Sequence, residues 1–272
     1  MKRIIFTLLH RDGQYLLSRN FRLQRVGGLD WVLKNYAIRE VSLGIDELMV
    51  LDLSVTDVHR ERFRDEVRIL SEECFVPLTV GGRIRSVDEV ERLLLIGADK
   101  VLLNAPFFVD PALCLAVAER FGSQALVAGI DICRDVASVP PDRVSLMIPP
   151  ERLRTHVEHA LASGAGEILL QSVDQDGTGN GLDLEHVDTL RGLTVPLILM
   201  GGVGQSSQIL EGLLHPAVDA VATANLFNFV GDALVRTRAF AREHGVDLAA
   251  WSGAELSELE GSCSHLTKGA AS

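Results

Sequence analysis

The chain has 272 residues, 47% hydrophobic and 23% charged, with 24 glycines and a formal net charge of −11. This is ordinary for a globular protein with ample core, in one large α/β domain or two small ones, and the acidic excess argues against nucleic-acid binding as the main activity. Four scattered cysteines suggest neither a zinc site nor a disulfide framework. With no secretory start and no run of ~18 apolar residues, the chain is expected to be cytoplasmic, with no membrane partner, metal or cofactor.

In chain order, apolar runs of strand length fall at residues 3–9, 47–53, 76–80, 100–104, 124–130, 167–172, 195–200 and 219–223. They are nearly continuous Val, Ile, Leu and Ala, as in parallel strands buried on both faces. Asp12-Gly13 marks a turn after the first run. Helix signals fill the gaps. Phe63, Val67 and Leu70 share a helical face, and Ser86 with Glu89 forms a capping box. Asp110-Pro111 starts a helix that Gly122 closes, and a further helix ends at Gly164. Eight such alternations predict a (β/α)₈ TIM barrel over residues 1–250; a doubly wound open sheet seldom needs eight regular units. Residues 251–272 turn to Ser, Gly, Ala and Glu and are expected to form a frayed tail.

The chain also repeats itself. "VPLTVGGRIRS" and "VPLILMGGVGQS" place Gly81 and Gly201 120 residues apart, and Val101 and Val221 in "VLLNAPFF" and "VATANLFNF" share that offset, as do Glu47 and Glu167. The barrel is therefore expected to be two half-barrel repeats.

In such barrels the chemistry sits at the strand C-termini. "DQDGTGNG", residues 174–181, offers glycine backbone that can converge on an anion, although a simple tight turn would look the same. Gly202, Gly204 and Asn225 follow the last two strands, where barrels commonly hold phosphate. By symmetry Gly82 and Asn104 would build a second site, suggesting an elongated ligand with an anionic group at each end.

"GIDELMVLDL", "VPLTVGG", "GADKVLLN", "RFGSQALVAGID", "SGAGEILLQSVDQDGTGNG" and "MGGVG", in this order, resemble the cyclase subunit of imidazole glycerol phosphate synthase. The resemblance covers residue 2 to about residue 247. It implies a barrel that takes ammonia from a separate glutaminase subunit and delivers it to a bisphosphorylated substrate at the strand C-termini. It also implies a charged gate at the barrel bottom, here Arg3, Glu47, Lys100 and Glu167, with Asp99 on the face toward the glutaminase. Charged residues that merely solvate the lower rim are the plain alternative.

The resemblance assigns paired acid and base groups to the ends of strands one and five. Asp131 fits the second; Leu9, which cannot carry a proton, stands at the first, and the loss of such a group typically costs about 10²–10⁴ in rate. His10 is adjacent and a candidate replacement base, although its side chain would point to the other strand face if the strand continued that far. Further departures are Leu17 for a Lys, Arg83 for a third Gly, Asn225 for a Ser, Gln171 for a Thr, and residues 136–149. The pattern implies a changed substrate. A subgroup of the family also has Leu at this position and works in sugar amidation for surface polysaccharides, which needs no ring closure.

These readings give Asp131 as general acid/base. One phosphate falls to Asp176, Gly177, Gly202, Gly204 and Asn225, the other to Gly82, Arg83 and Asn104. Asp52 and Asp174 are candidates for polar substrate groups. Three activities follow: a cyclase-type synthase, an amidating enzyme acting on a sugar or related metabolite, or a silent barrel that activates a glutaminase.

Overall fold

The computed structural model describes residues 1–36, 38–54, 56–135, 146–225 and 231–250. The expected tail at 251–272 and most of the 136–149 segment lie outside them.

Eight parallel strands form the barrel: β1 (Arg3–Arg11), β2 (Glu47–Asp52), β3 (Leu78–Gly81), β4 (Lys100–Leu103), β5 (Leu126–Ile132), β6 (Glu167–Ser172), β7 (Leu197–Met200) and β8 (Ala220–Thr223). Each pairs with the next, and β8 returns to β1 with Arg3 opposite Ala220 and Phe6 opposite Thr223, so no edge remains. The expected barrel is thus observed, with boundaries shifted by up to a few residues.

Side chains alternate across the wall, as the strand period demands. Ile4, Phe6 and Leu8 point outward under the helices, in one cluster with Val67, Leu70 and Val90. Ile5, Met49, Val127, Leu169, Ile198 and Ala220 point inward and fill the lumen. Burying a large apolar side chain contributes roughly 1.5–3 kcal/mol, so these two layers dominate the stability. The expected helix starts are present: Ser86 caps Val87–Leu95 by accepting the Glu89 N–H, and Asp110 caps Pro111–Phe121 by accepting the Leu113 N–H.

At the lower rim Asp46, Asp99 and Asp219 each precede a strand and accept a backbone N–H from another one (Ile4, Leu78 and Leu197) at 2.8, 2.8 and 2.9 Å. Asp46 also holds Arg238 of the helix Ala233–Glu243 in a bidentate pair at 2.9 and 2.7 Å.

One feature differs from expectation. After the Asp12-Gly13 turn the chain continues as a hairpin, Gln14–Arg19 and Arg22–Gly27, paired antiparallel to the upper end of β1. It folds over the C-terminal mouth.

Candidate active site

Arg3, Glu47, Lys100 and Glu167 are the first residues of β1, β2, β4 and β6, and they close a ring across the bottom of the lumen. Arg3 Nη1 donates to Glu47 Oε2 at 2.9 Å, and Lys100 Nζ donates to Glu47 Oε2 at 2.7 Å and Glu167 Oε2 at 3.0 Å. Arg3 Nη2 completes the circuit 3.0 Å from Glu167 Oε1, an ion pair off the hydrogen-bond line. Thr79 donates to Glu47 Oε1 at 2.6 Å. Charges alternate around the ring, so the deeply buried Glu47 carboxylate is neutralised from both sides.

At the opposite end the hairpin reaches across the mouth. Its two-residue turn, Asn20-Phe21, has positive φ at both positions, 48° and 56°, the backbone of a type I′ turn. Phe21 packs with Cys133, Val173 and Met147, and its N–H donates to the Asp176 carbonyl at 3.3 Å. The Ser18 hydroxyl donates to the Asp176 carboxylate.

Beneath the hairpin lies a cavity of about 320 Å³. Ser18 and Arg19 wall it from above; Asp176, Gly177, Thr178 and Gly179 follow β6, Gly201, Gly202 and Val203 follow β7, and Asn225 follows β8. Gly202 has φ +92°, and a Cβ there would stand 2.0 Å from the Gly181 carbonyl oxygen, so only glycine fits. Asn225 Nδ2 donates to the Val203 carbonyl at 3.3 Å, tying two of these loops together.

Asp131 shares the lumenal face of β5 with Val127, and it sits opposite Gln171 in the sheet. Asn104 Nδ2 donates to its Oδ2 at 3.2 Å, leaving Asn104 Oδ1 buried without a hydrogen-bond partner. Leu9 is inward too, 4% exposed, in register with Leu16 of the hairpin and Leu51 of β2.

His10 points the other way. It is 0% exposed, with Nδ1 3.2 Å from Asp52 Oδ1, Nε2 accepting the Gly13 N–H at 3.1 Å, and its ring 4.8 Å from that of Phe63. Asp52 also accepts from the Ser54 N–H at 3.1 Å and the Ser54 hydroxyl at 2.5 Å, and lies 3.4 Å from Arg60. Burial alone would push the Asp52 carboxyl up; the hydrogen bonds from His10 and Ser54 outweigh it and hold it below the usual range.

Residues 33–231 match the family model described as histidine biosynthesis protein. The chain belongs to that family. It is 43% identical, over 92% of its length and 94% of the relative's, to "Putative imidazole glycerol phosphate synthase subunit hisF2" of Parasynechococcus marenigrum (strain WH8102). It is 34% identical to the imidazole glycerol phosphate synthase subunit HisF of Streptococcus mutans serotype c and 35% to that of Streptococcus gordonii, each over 91% of this chain and 98% of the relative.

In this member of the histidine biosynthesis family, Asp176, Gly177, Gly202 and Asn225 come together on one cavity wall. Gly204 does not line it: its N–H donates to Gln208 Oε1 at 2.7 Å. Asp52 is corrected as a substrate group, because register with the outward His10 turns its carboxylate away from the lumen. Asp174 is exposed and lies outside the cavity lining. It accepts the Arg134 N–H at 3.0 Å and faces the Cys133 thiol, anchoring the chain after β5. Of the residues expected at the other phosphate, Arg83 turns to Asp57 at 2.6 Å and Asn104 to Asp131. His10 as a replacement base is excluded by its direction. The two carboxylates Asp183 and Glu185 and the neighbouring His186 already face a cation, the Arg134 guanidinium, at 3.4, 3.0 and 3.3 Å. Ser18, Arg19 and Thr178 escaped the sequence reading. The short apolar run Tyr15–Leu17 directly after the Asp12-Gly13 turn was the available signal for the hairpin strand that carries the first two.

Proposed function

We propose that the chain is the synthase subunit of a glutamine amidotransferase complex. It takes ammonia from a glutaminase subunit docked at the lower rim and adds it to a phosphorylated substrate at the mouth. The observation that carries this reading is the closed Arg3–Glu47–Lys100–Glu167 ring at one end of an apolar lumen and the glycine-walled cavity at the other. A neutral ammonia molecule crosses hydrocarbon far more readily than ammonium, and the ring is where a passing ion would exchange its proton. At the mouth the nitrogen attacks a carbonyl carbon. Asp131 takes the proton that nitrogen loses and returns it to the departing oxygen, while Asn104 holds the carboxylate in place.

A second reading is favoured by Leu9. One carboxylate suffices for amidation without ring closure, and an apolar side chain in that lumenal position suits a reaction that stops there. Relatives are named as imidazole glycerol phosphate synthase subunits, which supports the synthase class for both readings.

The test is reconstitution with a glutaminase subunit of the imidazole glycerol phosphate synthase type. Glutamine hydrolysis should rise in the presence of the chain, and Asp131→Asn should abolish nitrogen transfer while leaving that stimulation intact. No association and no stimulation defeats the proposal. Regained ring closure in Leu9→Asp would mark an eroded cyclase rather than a specialised amidating enzyme.

A further inference from the structure

We infer that the substrate presents a single phosphate, or one equivalent anionic group, seated between the β6–β8 loops and the hairpin residue Arg19. The opposite side of the mouth receives an uncharged end. This rests on the reading of the chain as a synthase for a phosphorylated substrate, and narrows it.

The two half-barrels carry matching glycine pairs, Gly81-Gly82 and Gly201-Gly202, and both second glycines take left-handed backbone, φ +102° and +92°. From there the halves diverge. On the β6–β8 side, glycine backbone walls an open cavity and the next residue, Val203, is uncharged. The helix that follows, Ser206–Leu214, is capped by the neutral side chains of Gln205 and Gln208. Asp176, the acid among the lining residues, is engaged by the Ser18 hydroxyl, and the exposed Arg19 stands on the same wall. A phosphate dianion entering there meets glycine backbone, with the exposed Arg19 within the same lining to supply a counter-charge.

On the β2–β4 side the protein supplies its own anions. Glu89 Oε2 accepts the Arg85 N–H at 2.7 Å, at the head of the helix Val87–Leu95, and Glu89 Oε1 lies 3.3 Å from Arg60. Asp57 accepts from Arg83 Nε at 3.0 Å and Nη2 at 2.6 Å, and pairs with Arg85 at 3.4 Å. Arg83 Nη1 donates to the Ser54 carbonyl at 3.1 Å. The helix head and the added guanidinium, the two features that would receive a phosphate, already hold carboxylates. A second phosphate would have to displace Asp57 and Glu89 against like-charge repulsion. Between the two sides the mouth is floored by Leu9, Leu16 and Leu51, which suits a ligand charged at one end.

The full-length chain, without any glutaminase, is titrated calorimetrically with inorganic phosphate, ribose 5-phosphate and fructose 1,6-bisphosphate. One inorganic phosphate per chain is expected, with the two sugar phosphates binding within about fivefold of each other. Arg19→Ala should weaken all three by at least about threefold, and Asp57→Asn combined with Glu89→Gln should strengthen bisphosphate binding by about tenfold or more. No bound phosphate, two per chain, a bisphosphate preference above about fivefold in the unmodified chain, or no gain in the double variant overturns the inference. Glutaminase stimulation plays no part in this readout. A chain that binds one phosphate yet leaves a glutaminase untouched would defeat only the function proposed above.

Discussion

Leu9 and His10 are neighbours in β1 and face opposite sides of the barrel wall: Leu9 joins the lumenal apolar cluster, whereas His10 lies fully buried against Phe63 of an outer helix. Leu9→Asp would place a carboxylate between Leu16 and Leu51, both buried. We expect a loss of about 2 kcal/mol, read as a lower urea midpoint with an unchanged slope. The isosteric Leu9→Asn should lose less at neutral pH, because it buries no charge.

The lower ring predicts strong coupling. Glu47 receives Arg3, Lys100 and Thr79, so Glu47→Ala leaves two cations sharing the single Glu167 carboxylate and should lose about 3 kcal/mol. Lys100→Met leaves Arg3 in place to neutralise the same carboxylates and should lose less. A double-mutant cycle between positions 47 and 100 checks this, with an interaction of at least about 1 kcal/mol expected.

The Asp52 network sets an acid dependence. Its carboxyl is held below the ordinary value of 3.8 in the folded chain, so it is more acidic folded than unfolded. Its contribution is therefore complete at neutral pH and is lost as pH falls below 3.8 toward the folded value. Asp52→Asn should be less stable at pH 7, and its stability should fall less steeply than that of the unmodified chain over the acid range. Thermal melts across that range measure the difference.

The hairpin tip predicts a local effect. Phe21 has a φ of +56°, unfavourable for a bulky residue by about 1–2 kcal/mol, and its packing on Cys133, Val173 and Met147 holds it there. Phe21→Ala should raise amide hydrogen exchange across the two hairpin strands by about tenfold or more, while strands β4 and β5 keep their protection.

The barrel, its half-repeat and the glycine wall were legible because continuous apolar strands and glycine pairs are local signals. The hairpin was not: its turn uses Asn20 and Phe21 with positive φ, and no glycine marks it. Asp52 was misread because a carboxylate at a strand end looks lumenal until the register is known; pairing with His10 instead of Leu9 reverses its direction. The anchoring contacts of Asp174 were hidden for a longer-range reason. Its partners are 40 and 41 residues away, in a segment no motif describes. The carboxylates Asp57 and Glu89, which distinguish the two halves of the mouth, read in sequence as a loop acid and an ordinary capping residue.

The clasp between Asp46 and Arg238 joins residues 192 apart. During synthesis a growing sheet would carry two bare margins until β8 emerges from the ribosome and pairs with β1, after which the helix Ala233–Glu243 latches onto the residue before the second strand. Completion of the cylinder is thereby deferred to the eighth strand, and a nascent chain arrested before it would be left open to pairing with its neighbours.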